Sequence, residues 1–252
     1  MNTAAGEGMT KVPAVTLLFW ILKIAATTLG ETAGDTVSMS MNLGYLAATA
    51  VFAAIFTGAV VGQIVARRFH PWIYWATIIA TTTVGTTLAD FATRSVGIGY
   101  AGGSALLLVL LLASLTLWHR TLGTVSVDSV SSPRAEVFYW VTIMFSQTLG
   151  TALGDWTADT AGLGYSGAAA VFGGLLVLVA AGYFWTTASR TLLFWAAFVL
   201  TRPLGAVVGD FLDKPVASGG LAFSRPAASA VLLILIMAGL VLFPQRAAAR
   251  SH

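Results

Sequence analysis

The sequence predicts an all-α integral membrane protein with about eight transmembrane helices, arranged as four tandem two-helix repeats with parallel pseudo-symmetry. The first observation behind this prediction is composition. Of the 252 residues, 57% are hydrophobic and 9% are charged, against about 25% charged residues in an ordinary soluble domain. A soluble core cannot take up so much apolar surface, so lipid must be the solvent for part of the chain. The second observation is a motif of Trp, Gly and Asp that recurs four times.

Eight apolar stretches come close to the roughly 20 residues that a helix needs to cross a bilayer. They cover residues 13–37, 44–66, 71–93, 99–118, 135–158, 163–186, 190–211 and 226–244. The even-numbered stretches are almost purely apolar, whereas the odd-numbered ones carry the polar residues. We therefore expect one membrane domain over residues 1–252, with repeats at approximately 12–68, 69–120, 133–188 and 189–245. Because the first stretch belongs to a repeat, it is predicted to be a retained span and not a signal peptide.

The charged loops predict the orientation. An even number of spans puts both termini on one side of the membrane, and most basic residues fall on that side. These are Lys11, Arg67, Arg68, Arg120, Arg134, Arg190, Arg246 and Arg250, against Arg94, Lys214 and Arg225 on the other side. The positive-inside rule then predicts a multi-pass protein of the cell inner membrane with cytoplasmic termini. No basic stripe is present, so no nucleic-acid partner is expected, and the lack of cysteine excludes disulfides and thiolate metal sites.

The repeat is aligned on four aspartates, Asp35, Asp90, Asp155 and Asp210. Fifteen residues before each stands a tryptophan, namely Trp20, Trp75, Trp140 and Trp195. Five residues before each stands a glycine, namely Gly30, Gly85, Gly150 and Gly205, and the residue just before each Asp is Gly or Ala. The spacings between the aspartates are 55, 65 and 55 residues, which is typical of a doubled pair that gives two four-helix halves.

On a helix, this pattern has a physical interpretation. Small residues four apart let two backbones approach closely inside a membrane, so the odd-numbered helices should pack tightly against one another or against a partner. That second option leaves a homodimer open. The tryptophan lies roughly 22 Å from the aspartate along the helix, which suits an anchor at the cytoplasmic interface. The aspartate is then expected in the outer part of the membrane.

The acidic residues are the candidate site. An ionisable group within a span costs about 2.5–3.5 kcal/mol on insertion, so it usually faces a bundle interior and has a partner. The first and third copies carry two acids one turn apart, whereas the second and fourth place a cation four residues after the aspartate. The pairs are Glu31 with Asp35, Asp155 with Asp159, Asp90 with Arg94, and Asp210 with Lys214. We expect the last two pairs to neutralise themselves. Glu31, Asp35, Asp155 and Asp159 are then predicted to be the ligands of a metal cation, with Thr28 and Thr148 as neutral oxygen ligands. Asp90 and Asp210, at the same repeat position, are included among the candidate cation-binding residues.

Two further cations lie deeper in the predicted spans. Lys23 precedes Glu31 by eight residues, and Arg202 precedes Asp210 by eight. Three roles stay open for them: internal counter-ions, a barrier to cation flow, or ligands for an anionic substrate. The cation site would be weakened if either reached the acids directly. Gln147 occupies the repeat position of Arg202, so this level is expected to line a cavity.

The units from Trp20 to Tyr45 and from Trp140 to Tyr165 both read Thr-Leu-Gly-x-x-x-Gly-Asp and later Gly-Tyr. They resemble a family of bacterial inner-membrane proteins that is defined by a short repeat of unknown function in several copies. The resemblance implies a multi-span protein of permease-like character and brings no established substrate. The fourth copy departs from the pattern, with Pro203 in place of Thr and no Gly-Tyr.

The leading hypothesis is a small secondary transporter for a cation, such as a divalent metal with proton coupling. Its expected partners are the lipid bilayer and a small ion or solute, with no resident cofactor beyond a bound or transported divalent cation. The alternatives are a structural or accessory membrane protein whose aspartates lock the repeats, and a permease for a small anion that uses Lys23 and Arg202. No nucleophile, metalloprotease or phosphate-loop motif is present, so we expect no enzyme.

Overall fold

A computed structural model describes residues 10–66 and 68–248 of the chain, and within these residues the fold is entirely helical. Eight α-helices are present there: α1 (Leu17–Asp35), α2 (Tyr45–Val65), α3 (Pro71–Asp90), α4 (Gly99–Leu122), α5 (Pro133–Asp155), α6 (Gly164–Trp185), α7 (Arg190–Asp213) and α8 (Arg225–Leu242). Each predicted stretch overlaps one of them, so the prediction of eight helices is confirmed. Arg67 and Arg250, used above for orientation, lie outside the described residues, as does His252.

The helices begin and end at residues whose chemistry suits those positions. Thr16, Ser132, Ser189 and Ser224 are N-caps whose hydroxyl oxygens accept a hydrogen bond from the first turns of α1, α5, α7 and α8. In the first three repeats a π-helical turn follows the repeat aspartate directly, at Thr36–Ser40, Phe91–Ser95 and Trp156–Thr160. In the fourth, α7 runs on to Asp213 and a loop follows. The copy that departs from the pattern in sequence therefore departs in structure as well.

The odd-numbered helices form an inner ring in which α1 contacts α3, α3 contacts α5, α5 contacts α7, and α7 contacts α1. The even-numbered helices pack around this inner ring, each against the odd helix of the following repeat: α2 on α3, α4 on α5, α6 on α7, and α8 on α1. Each repeat thus supplies an outer helix that covers its neighbour.

The repeat glycines lie at the contacts of the inner ring. A Cβ added at Gly30 would stand 2.1 Å from the Thr82 hydroxyl, and one at Gly205 would stand 2.1 Å from that of Thr27. A Cβ on Gly150 would meet the Arg202 side chain at 2.2 Å, and one on Gly85 would meet the Gln147 backbone at 3.0 Å. In every repeat, therefore, the glycine five residues before the Asp faces the residue eight before the Asp on the next helix. The predicted tight packing of the odd helices is confirmed.

Among the described residues, five helices are long and apolar enough to cross a membrane: α2, α4, α6, α7 and α8. The other three, α1, α3 and α5, belong to the inner ring, and most of their residues are buried in the protein. Their threonines and acids face neighbouring helices, which lowers their hydropathy without exposing polar groups. The outer helices, by contrast, expose large apolar side chains such as Leu46, Leu112, Phe184 and Leu235. This distribution is compatible with a multi-pass membrane protein.

Aromatic side chains fill one end of the inner ring. The residues that precede the repeat tryptophans, Phe19, Tyr74, Tyr139 and Phe194, are buried, and the Tyr74 and Tyr139 hydroxyls lie 2.6 Å apart. The tryptophans were predicted to be interface anchors, but Trp75, Trp140 and Trp195 are buried among these rings instead. The reason is that the tryptophans pack edge to face against their aromatic neighbours, which gains more contact than a position in lipid would. The anchor prediction is wrong for these three.

A single Tyr74→Phe substitution should destabilise the protein by about 1–3 kcal/mol, because it leaves the buried Tyr139 hydroxyl without its partner. The double change Tyr74→Phe/Tyr139→Phe should recover most of this loss, since the first and fourth repeats already carry Phe at these positions. Thermal unfolding in detergent measures both. A double variant less stable than the single one would show that the hydroxyls do more than satisfy each other.

Candidate functional site

Equivalent positions of the four repeats stack in levels along the inner ring, because each helix meets the next through the same pair of repeat positions. The acid level holds Asp35, Asp90, Asp155 and Asp210. One turn below lie Glu31, Thr86, Thr151 and Ala206, and one turn further lie Thr27, Thr82, Gln147 and Arg202. The next level holds Lys23, Ile78, Ile143 and Phe198, above the aromatic end of the ring. Every one of these residues is buried.

Two cations bridge the four aspartates in pairs. The Arg94 guanidinium lies 2.9 Å from Asp90 Oδ1 and 3.1 Å from Asp155 Oδ2. The Lys214 ammonium lies 2.9 Å from Asp210 Oδ1 and 2.8 Å from Asp35 Oδ2. Each cation therefore pairs with the aspartate of its own repeat and with that of the following one.

This arrangement corrects one prediction. Asp90 and Asp210 do pair with the cations four residues later, but Asp35 and Asp155 are paired as well and are not chemically open. The sequence argument considered only neighbours on one helix. In the ring, the aspartate of the next helix lies at the same level, within reach of a long side chain. Arg225, at the start of α8, adds a further contact 3.7 Å from Asp35 and 3.1 Å from Asp213.

Arg202 reaches across the centre of the ring from α7. Its Nη2 atom lies 3.0 Å from Glu31 Oε2 on α1 and also donates to the hydroxyls of Thr86 on α3 and Thr151 on α5. The side chain is fully buried. Of the roles that the sequence left open, this geometry favours an internal counter-ion. It also shows that one acid of the predicted cation site already has a positive partner, so that site is weaker than the sequence suggested.

The acids nevertheless converge. Glu31, Asp155 and Asp210 each offer an oxygen within 4.8 Å of the other two, and so do Asp35, Asp210 and Asp213. The four residues predicted to bind a metal, Glu31, Asp35, Asp155 and Asp159, do not form one group. Asp159 is exposed, in the π-helical turn beyond the end of α5, and Asp210 takes its place in the central group. We call Glu31, Asp155 and Asp210 the central triad.

Comparison with known proteins places this architecture in a family. The family model described as Repeat of Unknown Function (DUF347) matches residues 18–69, 73–124, 138–189 and 193–246, which together make up most of the chain. The chain belongs to the DUF347 repeat family. The recognised resemblance to a family built from a short tandem repeat of unknown function is thereby confirmed. No curated protein and no solved structure gives a significant match.

Each DUF347 repeat contributes one aspartate to the acid level and one outer helix to the neighbouring repeat. The central triad draws on three repeats, with Glu31 from the first, Asp155 from the third and Asp210 from the fourth. The fourth repeat also supplies Arg202, Lys214 and Asp213, so its departure from the family pattern adds chemistry to the site. No single DUF347 repeat could form this arrangement.

The threonines near the acids are different ones from those predicted. Thr28 and Thr148 are buried, but their hydroxyls donate to the backbone carbonyls of Ile24 and Met144 on their own helices, at 3.0 and 2.9 Å. Thr86 instead lies beside the central triad, with its hydroxyl 3.2 Å from Glu31 Oε2. The repeat alignment could have predicted that Thr86 lies beside the acids, because Thr86 and Thr151 occupy the repeat position of Glu31.

The buried network contains more acids than cations. The buried acids of this network are Glu31, Asp35, Asp90, Asp155, Asp210 and Asp213, whereas the buried Glu136 lies apart and pairs with Lys11. The cations in ion-pair contact with them, within the described residues, are Arg94, Arg202, Lys214 and Arg225. With all groups ionised, six acids against four cations leave two negative charges in excess. Buried charge without compensation is costly, so a proton or a cation bound at these acids would stabilise the network.

Proposed function

We propose that the chain is a small secondary transporter of the bacterial inner membrane, with eight spans, parallel repeats and both termini cytoplasmic. Its cargo in this proposal is a hard cation, held by the central triad. The observation that carries the proposal is the convergence of three buried carboxylates from three repeats in a network short of two positive charges. A purely structural set of ion pairs would be expected to balance.

The ligand chemistry supports a divalent ion exchanged against protons. The central triad offers carboxylate oxygens and Thr86 adds a hydroxyl nearby, which suits hard cations such as Mn²⁺, Mg²⁺ or Ca²⁺. One divalent ion or two protons would each supply the two missing charges. A site that is neutral with either occupant can exchange one for the other, which is the requirement for proton-coupled transport.

An accessory membrane protein without transport is the second candidate. It is favoured by Arg94 and Lys214, which join the second repeat to the third and the fourth to the first. In that case the acids serve only to lock the ring. The two candidates differ in one measurable respect: an accessory protein held together by these ion pairs needs no ligand, whereas a transporter must bind one.

Neutralising the central triad should abolish cation binding. Mn²⁺ is expected to raise the melting temperature of the purified wild-type chain in detergent, because a ligand that binds only the folded state stabilises it. Glu31→Gln and Asp155→Asn should lose this shift, since each removes a charged ligand. The same variants should lose uptake of radioactive Mn²⁺ into proteoliposomes with an inward-directed metal gradient.

Asp159→Asn is the matched control, because it makes the same chemical change four residues away at an exposed position. It should keep both the melting shift and the uptake. Should no divalent cation stabilise the wild type, while Asp155→Asn lowers its melting temperature, the accessory protein would be the better account.

A further inference from the structure

On the two levels of the ring that hold Arg202 and Lys23, three buried side chains have polar atoms without a hydrogen-bond partner in the part of the chain that the structure describes. They are the Lys23 ammonium, both amide atoms of Gln147 and the Nε atom of Arg202. All three side chains are fully buried. Buried polar groups in proteins nearly always have a partner, so this group calls for a ligand or for water.

The three residues belong to two adjacent levels and to three helices of the ring. Arg202 and Gln147 occupy the same repeat position on α7 and α5. Lys23, one level below on α1, stands over the ring of Phe198, one turn below Arg202 on α7, at 4.1 Å from the ring centre. Because α7 contacts both α1 and α5, Arg202 lies on the helix between those that carry Lys23 and Gln147. The buried aromatic residues below and the acid network above enclose this region.

The charges in this region favour an anion. Lys23 is in ion-pair contact with no carboxylate among the described residues, and its ammonium is one of the buried atoms there without a hydrogen-bond partner. The unpartnered groups of Lys23 and Arg202 are N–H donors, and the Gln147 amide adds another. A set of buried donors around an uncompensated positive charge is the usual surrounding of a bound anion.

We propose that Lys23, Gln147 and the Nε atom of Arg202 bind a small monovalent inorganic anion of the chloride type. Monovalence follows from the charges, because Arg202 is already paired with Glu31 and only the Lys23 charge remains to be balanced. This anion site touches the central triad only through the Arg202–Glu31 ion pair, and the proposal does not depend on the proposed cation transport. With the anion bound, the cations below the central triad are balanced. The excess negative charge is then confined to the levels that hold the acids.

The test compares unfolding of the purified full chain in sodium chloride and in sodium gluconate at equal ionic strength. Chloride should raise the melting temperature, and the rise should grow with the logarithm of its concentration once the site is more than half filled. Lys23→Met should lose the chloride dependence, and Gln147→Leu should weaken it. Arg190→Gln removes an exposed cation outside this region and should keep the full dependence.

Equal melting temperatures of the wild type in chloride and gluconate would overturn the proposal, because internal water or an uncharged Lys23 is indifferent to the anion. A chloride dependence retained in Lys23→Met would overturn it too, since the anion would then bind elsewhere. If Lys23→Met does not fold, Gln147→Leu decides by the same comparison. Loss of Mn²⁺ binding in Asp155→Asn with an unchanged chloride dependence would show that the two sites bind their ions independently.

Discussion

Replacing Arg202 with methionine should destabilise the protein by about 3–5 kcal/mol, the usual cost of breaking a buried ion pair by removing one partner. The substitution leaves Glu31 charged and unpaired at the centre of the ring, and it takes a donor from Thr86 and Thr151. Methionine is flexible enough to fill much of the vacated space, so the loss reflects charge more than packing. Unfolding of the purified protein in detergent measures the effect.

A double-mutant cycle identifies the cause. Glu31→Gln removes the stranded charge, so the double variant Glu31→Gln/Arg202→Met should regain about 0.5–3 kcal/mol relative to the sum of the single changes. Arg190→Met is the control for loss of an arginine, because Arg190 is exposed and contacts only Tyr183 among the described contacts. It should change stability by about 0.5 kcal/mol or less. If the two single effects simply added, the Arg202–Glu31 contact would not be the source of the stability.

Adding a methyl group at two contacts of the inner ring should cost about 2–6 kcal/mol in total. Gly30→Ala forces a Cβ against Thr82, and Gly150→Ala forces one against Arg202. Overpacking of this kind costs about 1–3 kcal/mol at each site. The two contacts join different helix pairs and share no partner, so the effects should add. The double variant should therefore melt at a much lower temperature than the wild type.

The outer helices offer a matched control. Gly58 on α2 and Gly173 on α6 have nothing within 4 Å of an added Cβ. Gly58→Ala/Gly173→Ala makes the same two chemical changes and should be neutral or slightly stabilising, since alanine favours helix by about 0.5–1 kcal/mol over glycine. Equal losses in both double variants would mean that helix propensity, and not the close approach, sets the cost.

Features that depend on one helix were predictable from the sequence. The positions of all eight helices follow from apolar length and from Gly, Pro and Ser at their ends. The glycine contacts also follow, because small residues four apart have a recognised role in membranes. The pairing of Asp90 with Arg94 and of Asp210 with Lys214 is likewise a local property of helix geometry.

Features that depend on the order of helices in the ring were not predictable in this way. The second contact of Arg94, to Asp155, exists because α3 and α5 are neighbours, and no local pattern states that. Asp213 enters an acid group with Asp35 because α7 and α1 are neighbours, which no pattern along α7 states. The tryptophans turned inward for a related reason, since their partners are aromatic residues on other helices as well as on their own.

The placement of α8 on α1 makes the molecule a closed cycle, in which no repeat is first or last by its contacts. The two ends of the described part of the chain also meet, because Pro13 pairs with Ala247 and the amide of Ala248 donates to the carbonyl of Val12. A chain that began with any one of the four repeats would therefore form the same ring of helices. Joining these ends and opening the loop between α4 and α5 would give a circular permutant that keeps every contact between helices.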